Sequence, residues 1–401
     1  MKILVLTSVY RDETLGNRDT STNIVNSFVK EWVKQKNDVI VIHNAHQYPK
    51  FIHKLPIFLK KKIASIINFQ IADFDAVLEK EYIDNGVKIY RCPIKKYIPY
   101  KSPSDKRIKK QVNKIKLFLS KNEFKPDIII GHWISPQIEI SYYLKPIYKC
   151  KIVTVLHGLG YINDTKFKIQ KYINNIDKIG CRSIYQSKIV KNKLKLNYLP
   201  FVCYSGIPDE YLKSYKLNLS KYNDINKWKI IYVGRLIAYK NVDAIIKSLA
   251  LINEVDWELT IIGDGTERKK LEKLVKQKNI EDKVYFTGKI PRDSVMKKLK
   301  ESNIFVMISN DEVFGLVYLE AMAASCITIA SENGGIDGII INNNNGYLCK
   351  QGSVESLKKR LELIFQMSNK NLKKISASAY NTAQKYSDSR IAKYYLNEIK
   401  K

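Results

Sequence analysis

The chain has 401 residues, enough for two or three domains of ordinary size, and its 45% hydrophobic content excludes a wholly disordered or fibrous protein. Its charge is unusual, because 69 Lys and Arg residues against 39 Asp and Glu residues leave a formal net charge of +30. Such an excess of cations indicates an anionic partner: nucleic acid, a lipid surface or a phosphorylated substrate.

Targeting and redox features are weak. Six scattered cysteines without a C-x-x-C pair argue against zinc sites and disulfides and favour reduced thiols in a cytosolic compartment. The opening segment, MKILVLTSVY, is too short an apolar run for a signal peptide. No stretch approaches the roughly 18 uninterrupted apolar residues that span a bilayer. These features predict a soluble or peripheral protein.

Short β-branched runs alternate with stretches of helical periodicity, the first of which is Thr20–Lys36. Because continuous apolar strands alternating with helices form parallel sheets covered on both faces, two such series predict two doubly wound α/β domains. The polar stretch Lys213–Lys227 separates the two series and is the predicted linker, so we expect domains over residues 1–212 and 213–385. The predicted strands are Lys2–Thr7, Asp38–His43, Val87–Cys92, Asp127–Ile130, Lys151–Leu156, Lys229–Val233, Trp257–Ile262, Lys283–Thr287, Asn303–Ile308 and Ile327–Ala330.

Positive charge is concentrated in two segments of the predicted first domain. Residues 44–72 contain five lysines and no acidic residue, and residues 95–121 contain ten cations against one aspartate. Lysines beside an apolar helical stripe are typical of helices that bind anionic membranes, although the same lysines could be solvated while the stripe packs on the sheet. The first segment combines the stripe Leu59, Ile63, Ile66 and Ile67 with the cluster Lys60, Lys61 and Lys62.

The segment SNDEVFGLVYLEAMAA, Ser309–Ala324, contains the strongest candidate site. A strand ends before it, and Phe314-Gly315 opens a helix whose N-terminal N–H groups suit an anion such as a diphosphate. Glu312 and Glu320 stand eight residues apart, so that one carboxylate can meet the near side of a ligand and the other its far side. A solvated glutamate and an acidic helix cap are the alternative for this pair.

Further polar groups follow other strands of the second series. Arg235 and Lys240 come after the strand IIYV and can neutralise a diphosphate leaving group. The segment Gly263–Gly265 resembles part of a dinucleotide motif, but Arg268 stands at its sixth position and it does not follow the first strand of its domain, which excludes the nicotinamide interpretation. Asn333–Gly335 forms an NGG turn after another strand.

In this order and spacing, the pieces resemble the retaining GT-B glycosyltransferases that carry the E-x7-E motif, the glycosyl transferases group 1, family 4. The resemblance implies two Rossmann-like doubly wound domains facing across a cleft, with residues 386–401 packing back on the first domain. The segments that match in the second domain are Gly234–Leu236 with Lys240, Ile261–Gly265, Val284–Ile290, Glu312–Glu320 and Asn333–Gly335. The first domain matches more weakly, through Pro126–Trp133, Thr154–Gly158 and Tyr204–Leu212.

The resemblance also implies roles for single residues. Arg235 and Lys240 would hold the donor diphosphate, near Gly234, and Glu320 would bind the ribose hydroxyls. Glu312 would face the transferred sugar and is assigned to catalysis.

The N–H groups near Phe314, Gly315 and Leu316 would meet the phosphate or the sugar. His157, also assigned to catalysis, would lie against the donor sugar at the edge of the acceptor domain. The family's glycine pair in the first strand-to-helix loop is a single Gly16 here, a weak acceptor or phosphate contact.

For the whole protein, the resemblance implies transfer of a hexosyl unit from a nucleotide-diphosphate sugar, a UDP-sugar above all, to an acceptor hydroxyl with retention. No cofactor and no metal are expected. The acceptor would be a glycan, or a polyprenyl-diphosphate-linked glycan, in capsule, O-antigen or similar lipopolysaccharide biosynthesis. Together with the clustered charge, this predicts a cytoplasmic protein held peripherally on the anionic inner face of the membrane by Lys60, Lys61 and Lys62.

Two other features are interpreted without a functional role. His132 is expected to be a structural residue at a strand end. Asp73 and Asp75 form an Asp-x-Asp pair similar to the metal-binding pair of the other transferase fold. We interpret the pair as a chance occurrence, because it leads into the predicted helical run AVLEKEY with no strand before it.

Two alternatives to a lipid-directed transferase remain. A basic nucleic-acid-binding protein would explain the net charge by phosphate contacts, but no helix-turn-helix, zinc or RNP-like motif accompanies it, and nucleic acid is not an expected partner. A sugar phosphorylase, a synthase with a soluble acceptor or a degenerate binding homologue would share the fold.

Overall fold

The structure is a computed structural model, and it describes residues 1–12, 23–56, 59–60, 63, 73–97, 102–159 and 169–401. These residues form two compact units. The first comprises residues 1–182, 186–203 and 391–401, and the second comprises residues 183–185 and 204–390. The division therefore falls at Tyr204, whereas the sequence placed it at residue 213, and the C-terminal segment of the first unit begins at Ile391 instead of residue 386.

Within the described residues, the first unit contains an eight-stranded sheet with the order β10-β9-β8-β7-β1-β2-β5-β4 and a short parallel pair, β3-β6. All neighbours in the large sheet are parallel except β4, which runs antiparallel to β5. The strands are β1 Lys2–Thr7, β2 Asp38–His43, β3 His46–Gln47, β4 Lys80–Asp84, β5 Val87–Arg91, β6 Ile94–Lys95, β7 Ile128–His132, β8 Lys151–Leu156, β9 Lys178–Cys181 and β10 Phe201–Val202.

The second unit is built on a parallel sheet of six strands, counted over its described residues, with the order β13-β12-β11-β14-β15-β16. Its central strands are apolar and buried on both faces, as expected for a parallel sheet between helical layers. The strands are β11 Trp228–Val233, β12 Trp257–Ile262, β13 Val284–Gly288, β14 Ile304–Met307, β15 Ile327–Ser331 and β16 Tyr347–Cys349.

The helices of the described residues pack their apolar faces on these sheets. None of these helices is long and apolar enough to cross a bilayer. The α-helices are α1 Ile24–Lys34, α2 Lys50–His53, α3 Asp105–Lys121, α4 Gln137–Tyr148, α5 Ile169–Tyr172, α6 Ile184–Lys193, α7 Asp209–Ser214, α8 Val242–Leu249, α9 Arg268–Gln277, α10 Arg292–Glu301, α11 Leu316–Ala323, α12 Val354–Phe365, α13 Asn369–Ala383 and α14 Asp388–Lys400.

All ten predicted strands are confirmed to within one or two residues at their ends, and α1 confirms the first predicted helix. The run AVLEKEY is not helical: a short 3-10 turn, Asp75–Val77, precedes the antiparallel strand β4. The strand forms because its pairing with β5 supplies backbone hydrogen bonds that local periodicity does not reveal.

The stretch Lys213–Lys227 is not a linker but part of the second unit. Tyr222 is fully buried, with its hydroxyl 2.9 Å from the carbonyl oxygen of Asn303 and 2.7 Å from that of Ser325. Lys221 donates to two further carbonyls at 2.5 and 2.9 Å, and burial lowers its pKa. A segment of polar composition can therefore pack inside the fold when its polar groups find hydrogen-bond partners there.

Candidate active site

The turns that follow β11 and β12 meet backbone to backbone at the carboxyl edge of the second sheet. Gly263 has a φ of 138°, and a Cβ atom there would lie 1.8 Å from the carbonyl oxygen of Gly234, so that only glycine fits. The N–H of Leu236 donates to the carbonyl of Asp264 at 3.0 Å. The GRL and GDG segments therefore form one packed pair of turns, at the sheet edge where α/β proteins place ligand sites.

The two cations after β11 differ in their surroundings. Arg235 is exposed, and its guanidinium donates to the hydroxyl of Tyr239 at 3.1 Å. Lys240 is only 8% exposed, and its ammonium group forms an ion pair with Glu312 in the loop after β14. The sequence assigned Lys240 to the diphosphate and Glu312 to the sugar, whereas the structure joins the two side chains directly.

The loop after β14 is tied to the turn after β11. Asn241 donates through its side-chain amide to the carbonyl of Ile308 and to the side chain of Asn310, both at 2.9 Å. The backbone N–H of Asn310 donates to the carbonyl of Tyr239 at 2.8 Å. Because β11 and β14 are neighbours in the sheet, these bonds hold Arg235, Lys240 and Glu312 in one region of its edge.

Helix α11 begins at the same edge. Gly315 caps it with a φ of 74°, and a Cβ atom there would lie 2.5 Å from the ring of Tyr318. The Tyr318 hydroxyl donates to the carbonyl of Met307 at 2.7 Å and so anchors the helix to the end of β14. Phe314 is buried and Leu316 is the first helical residue. The N-terminal N–H groups of α11, with their partial positive charge, therefore lie in the region that contains the two cations.

Glu320 lies one turn further along α11 and contacts a different cation. Its carboxylate forms an ion pair with Arg292, the first residue of α10, and the Arg292 guanidinium lies 4.4 Å from the ring centre of Tyr211. Burial raises the pKa of Glu320, and the positive charge of Arg292 opposes that rise. The sequence identified Glu320 but missed Arg292; its only sequence signal is a cation just inside the helix that follows β13.

The NGG turn after β15 is held by a carboxylate. The backbone N–H of Asn333 donates to the Asp337 side chain at 2.7 Å, and the Ser331 hydroxyl donates to the carbonyl of Ser309 at 2.7 Å. The second bond joins the end of β15 to the start of the loop that contains Glu312.

In the first unit, the candidate His157 belongs to an aromatic cluster. Its Nε2 lies 2.9 Å from Nδ1 of His132, and the Trp133 ring stacks on it with centroids 4.1 Å apart. Burial first, and then the positive charge of Arg182, lower the pKa of His132 to about 3 and the pKa of His157 well below its usual value. Both imidazoles are therefore neutral at physiological pH, and in the contact between them the N–H of one donates to the bare nitrogen of the other.

The sequence treated His132 as structural only and missed its contact with His157, because the two histidines follow different strands, β7 and β8. Parallel pairing of these strands brings their ends together. Two histidines at the ends of successive predicted strands were the available signal.

The remaining predicted contacts lie in the first unit. Gly16, Lys61 and Lys62 fall outside the described residues, as do Ile66 and Ile67.

Lys60 does not have the exposure that a membrane contact needs. Its side chain is 12% exposed and forms an ion pair with Asp73 at 2.5 Å. This corrects the expectation for Lys60, and it also gives Asp73 a structural partner.

Helix α3 presents several exposed cations of the first unit. Lys106, Lys110 and Lys116 are exposed on this helix, and Leu117, next to Lys116, is 72% exposed. The opposite face of α3 packs into the core through Ile108, Val112, Ile115, Phe118 and Leu119. The basic surface is therefore the outer face of a firmly packed helix.

No group of three or more His, Cys, Asp or Glu residues that could hold a metal ion occurs in the part of the chain that the structure describes. The six cysteines are all buried. Burial raises the pKa of Cys92, Cys150 and Cys203 to about 11, which makes these thiols poor nucleophiles at neutral pH.

Comparison with known proteins connects these features to one family. Residues 218–382 match the family model described as glycosyl transferases group 1. An uncharacterised glycosyltransferase of Methanocaldococcus jannaschii is 30% identical over 320 residues, which are 77% of this chain and 82% of that protein. N-acetyl-alpha-D-glucosaminyl L-malate synthase of Bacillus anthracis is 32% identical over 243 residues, 56% of this chain and 62% of the relative, so the match spans less than two thirds of that enzyme.

Among solved structures, HepE of Anabaena in complex with UDP is similar over the full length of both chains, with a TM-score of 0.68 at 16% identity. At that identity the likeness concerns the fold. It confirms the predicted GT-B architecture of two Rossmann-like domains.

Proposed function

Because the chain belongs to the group 1 glycosyltransferases, we propose that it transfers a hexosyl unit from a nucleotide-diphosphate sugar, a UDP-sugar first of all, to an acceptor hydroxyl with retention of configuration. The observation that carries the proposal is the convergence of Arg235, Lys240, Glu312 and the N-terminus of α11 at one sheet edge of the second unit. The UDP found in the similar HepE structure supports the choice of nucleotide.

The chemistry follows from the charges that this region holds. Transfer creates negative charge on the departing diphosphate, and preorganised cations and N–H dipoles lower the barrier most where that charge develops. Arg235 is free to turn toward a ligand because it is exposed. Lys240 is already paired with Glu312, so a bound diphosphate would have to share Lys240 with that carboxylate or displace the carboxylate from it.

We propose that Glu320 accepts hydrogen bonds from the ribose hydroxyls and that Glu312 faces the transferred sugar. The reaction would follow a front-face mechanism, one of the two routes that retain configuration: the departing phosphate helps to deprotonate the acceptor, and no side chain acts as a covalent nucleophile. Arg235, Lys240 and the N-terminus of α11 supply the positive charge that a divalent ion would otherwise provide. We therefore expect turnover to persist in EDTA.

The assay that tests this function is nucleotide release from a panel of UDP-, GDP- and ADP-sugars, each with and without an acceptor extract. Arg235→Ala should lose release, whereas Lys269→Ala, which removes an equally exposed cation from α9, should retain it. Absence of release with every donor would refute the proposal, and so would equal activity of the Arg235 variant.

For the acceptor, we propose a lipid-linked glycan of cell-envelope polysaccharide assembly, reached from the cytoplasmic face of an anionic membrane. The support is the outer face of α3, with Lys106, Lys110 and Lys116 around the exposed Leu117. Each cation near an anionic surface contributes about 1 kcal/mol, so three of them with one apolar side chain give weak, reversible attachment. Nucleic acid is not a partner in this proposal.

Co-sedimentation with liposomes tests the membrane contact. Vesicles that contain phosphatidylglycerol should pellet the protein and vesicles of phosphatidylcholine should not, and binding should fade well above physiological salt. Changing Lys106, Lys110 and Lys116 to Gln should abolish pelleting, whereas changing Lys269, Lys273 and Lys276 on α9 should not. Equal pelleting with both vesicles, or with neither, would contradict the electrostatic contact.

A further inference from the structure

We infer that Arg292 is a positioning residue of the nucleotide site: it orients Glu320 and keeps it a carboxylate that can accept hydrogen bonds from the nucleotide's paired hydroxyls. The inference rests on the proposed function and deepens it, since it adds a residue whose effect on nucleotide binding acts through Glu320.

The geometry provides the first argument. Arg292 opens α10 and Glu320 lies on α11, so their ion pair crosses between two neighbouring helices. The Arg292 guanidinium also packs over the Tyr211 ring at 4.4 Å, which limits the directions in which it can point. A guanidinium confined in this way holds its partner carboxylate in one orientation, with the second oxygen left for a ligand.

The exposures of the two side chains provide the second argument. Glu320 is 15% exposed, whereas Arg292 is 42% exposed. The carboxylate is therefore the group that loses hydration, and its partner reaches it from the solvent side. A buried carboxylate without a cation would take up a proton at a higher pH than an exposed one.

The charged and titratable groups around Glu320 agree with this view. Arg292 is the cation that opposes the effect of burial on the Glu320 pKa. Burial raises the pKa of Tyr215, which follows α7; the Glu320 carboxylate adds to that rise and Arg292 opposes it, so both charges lie near the phenol. The Lys300 ammonium of α10 lies 5.2 Å from the Tyr215 ring centre. Arg292 is thus the positive charge in contact with Glu320.

Nucleotide affinity is expected to depend on the protonation of Glu320. Protonation of Glu320 turns one acceptor oxygen into an O–H donor and removes the charge that strengthens its hydrogen bonds, so nucleotide affinity falls as pH drops through its pKa. Removing Arg292 leaves the effect of burial unopposed and raises the pKa of Glu320 further. The fall in affinity should therefore begin at a higher pH in the variant than in the unaltered protein.

Isothermal titration with UDP, and with GDP and ADP in parallel, over about pH 5.5 to 8.5 provides the test. Arg292→Gln should bind within a few-fold of the unaltered protein at the alkaline end, and its acid limb should move to higher pH. Arg292→Lys keeps the charge without the planar fork and should shift the limb less. Glu320→Gln should bind weakly and keep only the acid limb that protonation of the nucleotide's own terminal phosphate causes. Arg268→Gln, which breaks the surface pair with Glu272, should match the unaltered protein.

Superimposable pH profiles for Arg292→Gln and the unaltered protein would overturn the inference. An equal loss of affinity at every pH would also overturn it, since that indicates a structural role alone. If Arg292→Gln does not fold, Arg292→Lys decides by the same criterion, a shift in the same direction. Binding of none of the three nucleotides by the unaltered protein would instead refute the proposed function.

Discussion

Replacing Lys240 by Met is expected to destabilise the second unit by about 3 kcal/mol, because Glu312 is then left charged without its partner. The two side chains are only 10% and 14% exposed, so water can compensate for little of the lost attraction. Methionine keeps the apolar stem in place, which isolates the effect of the charge. For a unit of this size, the loss corresponds to a fall of about 6–12 °C in the unfolding midpoint.

Removing both charges should be less harmful than removing one. The double variant Lys240→Met with Glu312→Gln has no uncompensated charge, so it should recover most of the stability and give a coupling free energy of about 2 kcal/mol.

Urea unfolding followed by tryptophan fluorescence measures these differences, since Trp228 and Trp257 are buried in the second unit and report on its transition. Lys269→Met, on the exposed face of α9, is the matched control and should unfold at the midpoint of the unaltered protein. If Lys240→Met also unfolds there, or if the double variant loses the sum of the two single losses, the ion pair is not the buried, coupled contact described here.

Three further predictions concern single sites. Arg235→Ala should lower kcat/KM by about 100-fold while its unfolding curve stays unchanged, because the side chain is exposed and, in the proposed function, meets the developing charge; unchanged turnover would contradict this. His157 should show no NMR ring titration between about pH 8 and 6, since burial and Arg182 lower its pKa well below the usual value; a midpoint near 6.5 would refute the buried pair. Gly263→Ala should destabilise the second unit by several kcal/mol, because its Cβ would lie 1.8 Å from a carbonyl oxygen. Gly158→Ala is the control and should cost little stability, because its Cβ has no neighbour within 4 Å. Equal urea midpoints for the two variants would contradict the close approach at Gly263.

Strand prediction succeeded where local composition and tertiary environment agree. The central strands β1 and β14 contain continuous apolar runs, and a run of this kind is buried on both faces when it lies inside a parallel sheet covered by helices. The edge strand β4 was missed because its residues are polar and mostly exposed, so that their strand conformation comes from pairing with β5. The short strands β10 and β16 offered too few residues for a period to be recognised.

For the segment Lys213–Lys227, the sequence predicted a linker where the structure has a packed segment. Its lysines and asparagines are typical of a linker, yet Lys221 is half-buried, Tyr222 is buried, and both donate to backbone carbonyls between α10 and β14. A polar composition predicts that a segment is exposed to solvent only if its donors find no backbone carbonyl elsewhere in the fold. Whether such a carbonyl lies within reach depends on the tertiary structure.

For the site, the sequence alone determined which residue types follow which strands: the glycine turns, Arg235, Lys240, Glu312 and Glu320. It could do so because each of these is set by local backbone needs or by its place at a strand end. Only the tertiary structure decided the pairings, Lys240 with Glu312 and Arg292 with Glu320. Each pair joins segments that follow different strands, and the energy of a charge pair depends on distance and burial, which linear spacing does not contain.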